Sequence, residues 1–241
     1  GGNDAGFASV LTTCALPSWM SNCYGAIDKA NAYINNTLPS ALNTLYASIR
    51  ARSPQAKVTV VGYPRIFNGE DCNAFTWFSP TEESRLNATA DLLNSKLASA
   101  AAARGFSFAN PTSRFVGHAV CDSPEWINGL SNPISESYHP KVDGHAYGYL
   151  PTVSPYVTGS ALRMSAGLKA TAAASADRLA REQSAYAAAD RRIQPKSFVA
   201  PDLSTPAAKA AAARAGVDLS SRASIDAADA AYDVRQRAAL R

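Results

Sequence analysis

Two short apolar runs limit the folds open to this chain. Lys57-Val-Thr-Val-Val-Gly-Tyr63 is valine-rich and bounded by turn residues, and Phe106-Ser-Phe-Ala109 follows after one helical segment. Both read as buried strands. Between them, Ser79-Pro80-Thr81-Glu82 has the form of a helix start: serine as N-cap, proline first, glutamate three after the cap. That helix is expected to run to about Arg104, where Gly105 stops it. Upstream, Ile27, Ala30, Ile34, Leu38, Leu42, Leu45 and Ile49 recur at helical spacing, and Pro39 should kink or split their segment. Residues 141–150 form a candidate closing helix. Helix, strand, helix, strand, helix is an α/β pattern with parallel strands. Two strands are few for a sheet that needs cover on both faces. The expectation is an incomplete three-layer α/β/α domain that lacks its first strands.

After Pro155 the composition changes. Residues 160–241 are alanine-rich and poor in aromatics, with Leu168, Ala172, Leu179, Tyr186 and Ile193 on one helical stripe. Pro195, Pro201 and Pro206 then interrupt, and 206–215 and 225–240 read as two more helices, the first ended by Gly216. The division expected is a domain over 1–155 and a helical extension over 156–241, packed on the domain or partly disordered. Residues 1–150 carry 10 Lys and Arg against 11 Asp and Glu, and 151–241 carry 13 against 8, so the positive excess sits in the extension. A net charge of +4 is too small to argue for a nucleic-acid partner. No apolar run approaches the roughly 20 residues that span a membrane, and no leader of the secretory type is visible.

The four cysteines, Cys14, Cys23, Cys72 and Cys121, show no CxxC spacing. An even number with loop-like neighbours favours disulfides and an oxidising compartment. Three pairings exist; Cys14–Cys23 with Cys72–Cys121 is the expected one. Four buried thiols in a reducing compartment is the alternative.

Two segments carry chemistry. In Glu136-Ser-Tyr-His139-Pro140, a carboxylate stands three residues before a loop histidine and can fix its tautomer, leaving the imidazole suited to take a proton from a hydroxyl. In Gly1-Gly2-Asn3-Asp4, small residues beside an asparagine let N–H groups approach an oxyanion. Each alone is a common loop. In this order the pair resembles the SGNH (GDSL-type) hydrolases, a family of serine esterases and lipases, whose third block is Gly-x-Asn-Asp and whose last is Asp-x-x-His. Here glutamate replaces the usual aspartate. Strand 57–63 with Pro64-Arg65, strand 106–109, the stretch 117–122 and the cysteine placement are similar to the secreted bacterial lipase and phospholipase branch, over roughly residues 1–155.

The resemblance implies a flavodoxin-like parallel sheet and roles for particular residues. Asn3 would donate its amide to the oxyanion, with Gly2 in the same turn. His139 would act as general base and then acid, and Glu136 would orient it. In some members of that branch a backbone carbonyl two residues before the histidine does this instead; here it belongs to Ser137. His145, without an acidic partner at i−3, reads as structural, and His118 either lines a pocket or is a satisfied loop residue. The family's Gly-Asp-Ser block precedes Gly-x-Asn-Asp, so the nucleophile is expected outside this sequence, with roughly 80 residues or more of upstream βαβ units. Ser9, Ser18 and Ser21 lack the strand-to-turn setting of a nucleophile.

The expected activity is hydrolysis of a small-molecule or lipid acyl ester by a secreted serine enzyme, with no metal and no organic cofactor, and with this chain alone inactive. A carbohydrate acetylesterase uses the same site. A non-catalytic fragment whose basic extension makes a weak contact with anionic lipid or cell-wall polymer is the rival from another class.

Overall fold

A computed structural model describes residues 1–193 and 196–239. Three helices come first: α1 (Phe7–Cys14), α2 (Cys23–Asn36) and α3 (Leu38–Arg52). Pro39 splits the predicted 26–52 segment, sitting in the first turn of α3, where its missing N–H has no helical partner to lose. Strand β1 (Thr59–Val61) leads through a loop to α4 (Pro80–Ala102), then to β2 (Ser107–Ala109). The strands pair in parallel, Thr59 with Ser107 and Val61 with Ala109, and they are the only two in the sheet among the described residues. Both are shorter than their apolar runs, and they are not the buried strands expected: Thr59 and Val60 are half-buried, Val61 is exposed, and in β2 only Ala109 is buried.

Helix α4 begins with the expected capping box: Ser79 Oγ accepts from Glu82 N at 3.3 Å, and Glu82 Oε2 accepts from Ser79 N at 2.9 Å. Gly105, at φ 65°, turns the chain out of the helix into β2. Across the end of β1, the buried Asn94 of α4 accepts from Tyr63 N and donates to Tyr63 O, both at 2.8 Å. Asn87, two turns earlier, accepts from Ile66 N at 3.1 Å and donates to Phe67 O at 2.8 Å. These amides satisfy backbone groups that have left the sheet. Behind them Ile34, Leu38, Leu42, Leu93, Leu97 and Phe106 make one apolar cluster, and a second gathers Leu11, Ile27, Phe67, Phe78, Phe115 and Tyr138.

The expected disulfides are formed, Cys14–Cys23 and Cys72–Cys121. The closing helix is longer than 141–150: a π-helical stretch, Gly144–Tyr149, continues into α5 (Leu150–Thr158), ended by Gly159 at φ 82°. A Cβ at Gly148 would lie 2.3 Å from the Phe115 ring, so only glycine lets this wide turn pass. The helix runs on through Pro155, and the change of composition therefore falls inside an element.

The extension behaves in two ways. Helix α6 (Ala166–Ser184) buries no residue, and α7 (Ala187–Asp190) follows it. The expected stripe stays in solvent, with Leu179 46%, Tyr186 62% and Ile193 68% exposed. Pro195 and Leu240, used in the sequence reading, lie outside the described residues. Residues 196–239 instead return to the body: Phe198 joins the second cluster, Val199 N donates to Thr12 Oγ1 at 2.9 Å, and α8 (Pro206–Ala215) buries Ala208 and Ala212. Helix α9 (Arg222–Ala239) docks by an acidic face. Asp226 accepts from Trp77 Nε1 at 3.0 Å, Asp229 from Ser18 N at 2.5 Å and Asp233 from Tyr24 Oη at 3.3 Å. The Arg222 guanidinium lies 4.7 Å over the Trp77 ring. No helix among the described residues is long and apolar enough to cross a membrane.

Glu82 lies beneath this docked face. Burial pushes its carboxyl up to about 7, and the nearby Asp229 and Asp233 charges add to the shift. Burial likewise raises Asp229, and it takes Glu83 to about 7. A carboxyl raised on folding favours the folded state while protonated. That stability is present below the ordinary value of 4.5 and is lost as pH rises through about 7. The thermal midpoint is therefore expected to fall from about pH 5 to about pH 8, by the equivalent of roughly 1–3 kcal/mol. Glu82→Gln should remove part of the slope and the Glu82→Gln, Glu83→Gln double variant most of it, as measured by calorimetry across that range.

Candidate active site

The Gly1–Ala5 turn lies beyond the C-terminal end of β1. Ala5 N donates to Gly1 O at 3.0 Å and Phe7 N to Gly2 O at 3.1 Å, which winds the turn into α1. Gly2 N donates to the Tyr63 hydroxyl at 3.2 Å. A Cβ at Gly2 would stand 3.2 Å from the Tyr63 ring, so any larger residue would have to push the ring aside by a few tenths of an ångström. Asn3 is exposed, and its carbonyl accepts from Lys196 Nζ at 3.3 Å.

His139 comes from a separate loop. Asn128 holds its loop: Asn128 N donates to His139 O at 2.9 Å, Tyr138 N to Asn128 O at 3.0 Å, and Asn128 Nδ2 to Glu136 O at 3.1 Å. The imidazole Nδ1 is 3.0 Å from Ser137 O. A carbonyl oxygen can only accept, so this bond places the proton on Nδ1 and leaves the Nε2 lone pair to accept one. Here the structure differs from the expectation for Glu136. Its residue is exposed, and the Ser137 carbonyl, not the Glu136 carboxylate, meets the ring. His139 N donates to Glu136 O at 3.1 Å, so the two residues close one tight turn, but the hydrogen bond at Nδ1 goes to the Ser137 carbonyl.

Gly2, Asn3 and His139 line one cavity of about 300 Å³, whose other walls include Ile34, Tyr63, Leu93 and Tyr149. Its lining is mainly apolar, as expected of a pocket for an apolar ligand with a few polar groups at one end. Among the described residues no serine or cysteine lines it, and its single threonine, Thr89, donates its hydroxyl to Arg85 O at 3.0 Å. His118 stacks on Trp126 at 3.6 Å with Nδ1 2.8 Å from Pro124 O, and His145 sits on the π-helical turn 5.8 Å from the Tyr149 ring; neither lines the cavity. The tyrosines at 63, 138 and 149 were missed from sequence. Only the place of Tyr63, at the carboxyl end of a parallel strand, carried a signal.

The arrangement brings an amide donor, a tight glycine turn and a histidine with a fixed tautomer to the mouth of an apolar pocket. This chain is 41% identical over 155 residues to a lipase of Streptomyces rimosus, covering 64% of this chain and 57% of that protein. It is 42% identical over 156 residues to lipase 1 of Streptomyces coelicolor, with the same coverage of 64% and 57%. The matched segment is homologous to Streptomyces lipases. Two crystal structures agree: the extracellular lipase of Streptomyces rimosus, at TM-score 0.60 and 39% identity, and phospholipase A1 of Streptomyces albidoflavus, at 0.60 and 38%. Each match covers 65% of this chain and 66% of the other. No protein-family model matches. The chain thus spans 57% of the length of the curated relatives it matches.

The cavity wall depends on Asn94. Asn94→Leu would leave Tyr63 N without its partner and Tyr63 O with only Thr112 Oγ1, at 3.4 Å, in a part-buried place, which is expected to destabilise the chain by about 1–2 kcal/mol, read from the denaturant midpoint.

Proposed function

We propose that these residues form part of a secreted carboxylic-ester hydrolase of the SGNH type acting on lipid acyl esters. One observation carries the reading: the Gly2–Asn3 turn and His139, distant in sequence, share one mainly apolar cavity. His139 takes the proton of a serine hydroxyl at Nε2 and later delivers it to the leaving alcohol. The Ser137 carbonyl stabilises the imidazolium through Nδ1–H. The Asn3 amide donates to the oxyanion that forms on the acyl carbon. Water activated at His139 then frees the acid from the acyl-enzyme. The serine lies outside residues 1–241, in keeping with a cavity lining that has none, and this chain alone does not turn over esters. The apolar lining favours an acyl chain over the sugar of a carbohydrate acetylesterase.

Labelling of the natural preparation with a fluorophosphonate, followed by peptide mapping, tests this. Label is expected on a serine outside residues 1–241, and label within them would refute the assignment. In the active protein His139→Ala should lower kcat by about 10³-fold or more. Asn3→Ala should lower it by about 10²–10³-fold. Glu136→Gln should leave ester turnover little changed, because its carboxylate does not hold the ring.

A second, weaker contact is proposed for the extension. Helix α6 buries no residue and exposes Lys169, Arg178 and Arg181 beside Asp177 and Glu182, the last paired with Arg178 at 2.7 Å, so its small positive excess is open to an anionic surface. Cosedimentation of the whole chain with anionic vesicles, lost as salt is raised, is the expected result; absence of binding at low salt removes the contact.

A further inference from the structure

We propose that Tyr138 is a positioning residue whose buried ring holds the left-handed backbone that aims the Ser137 carbonyl at His139. The inference rests on the reading of His139 as the base of this site. Tyr138 has φ 62°, and among the described residues only Cys121 shares a positive φ without being glycine. A side chain with a Cβ adopts this region reluctantly, and a bulky one more so. The torsion acts directly on the site. Rotation about N–Cα of Tyr138 turns the Ser137–Tyr138 peptide relative to His139, and at positive φ the carbonyl comes back to 3.0 Å from Nδ1. Relaxation of Tyr138 into an ordinary extended conformation would swing that carbonyl away.

What opposes relaxation is packing. Tyr138 is 3% exposed, and its ring lies against Phe198 at 4.9 Å, Phe78 at 5.8 Å and Phe67 at 6.0 Å. Its hydroxyl is buried without a hydrogen-bond partner of ordinary geometry. The ring therefore acts by filling space, not by bonding, and phenylalanine should replace it. One of the packing rings, Phe198, belongs to the segment that returns from the extension, so part of the hold on His139 comes from the C-terminal region. Strain kept in place by surrounding structure is a recurrent feature of functional sites.

The chain's three histidines make this testable without turnover. Nitrogen-15 NMR of the neutral rings, at about two pH units above the ordinary imidazole value of about 6.5, reads each tautomer. His139 is expected as the Nδ1–H form, and so is His118, whose Nδ1 meets Pro124 O. Tyr138→Phe should keep both. Tyr138→Gly permits the left-handed backbone but removes the anchor. It should shift the His139 tautomer ratio toward Nε2–H by about five- to tenfold, the effect of losing one hydrogen bond, with His118 unchanged. A merely structural role would move both rings or neither. If the glycine variant does not fold, Tyr138→Asn, which also tolerates positive φ, is read with the same expectation. Retention of the His139 tautomer in the glycine or asparagine variant, or its loss in the phenylalanine variant, overturns the proposal. Fluorophosphonate labelling is independent of this result, so the two readings can fail separately.

Discussion

The amide of Asn94 carries the geometry on which the cavity depends. Strand β1 ends at Val61, and beyond it Tyr63 has no strand to bond. Asn94 supplies both missing partners from the flank of α4. The approach is so close that a Cβ at Gly62 would stand 2.7 Å from Asn94 Oδ1. Held this way, Tyr63 offers its hydroxyl to Gly2 N and fixes the turn that presents Asn3. Tyr149 completes the frame, its hydroxyl 3.4 Å from Gly62 O. Helix α4 thus joins two parallel strands and also aligns the loops at their carboxyl ends, where α/β folds bind ligands.

The second wall is built without regular structure. The loop that carries His139 is tied by the Asn128 backbone and side chain and closed by the bridge between Ile127 and Pro140. Loops can place reactive groups well when every backbone group in them is satisfied. The mainly apolar cavity bordered by an amide and a histidine is the arrangement on which the proposed acyl-ester reading rests.

The extension divides according to what its side chains can bury. Helix α6 offers mostly alanine and charge, gains little by packing, and stays in solvent. The returning segment has Phe198 and Ile225 to bury, and α9 places Asp226, Asp229 and Asp233 where Trp77, Ser18 and Tyr24 can donate to them. Carboxylates at positions i, i+3 and i+7 lie on one face of a helix. This spacing was present in the sequence, but its use needed donors from three separate parts of the chain.

Features governed by neighbours within a turn or two could be read from the residues alone. The capping box at Ser79, the break at Pro39, the stop at Gly216 and the two strands follow from local torsions and local hydrogen bonds. The glycine–asparagine turn and the histidine, each a common loop by itself, stood out only as a pair and through the family they resemble. Tertiary structure decided which atom meets the imidazole. Glu136 stood at the right spacing, yet the carbonyl of Ser137 takes the place, because Tyr138 is left-handed. Rings from residues 67, 78 and 198 enclose that torsion, beside the Asn128 bonds that tie the loop. Sequence sets the local preferences of a backbone, and only packing between remote segments can hold it against one of them.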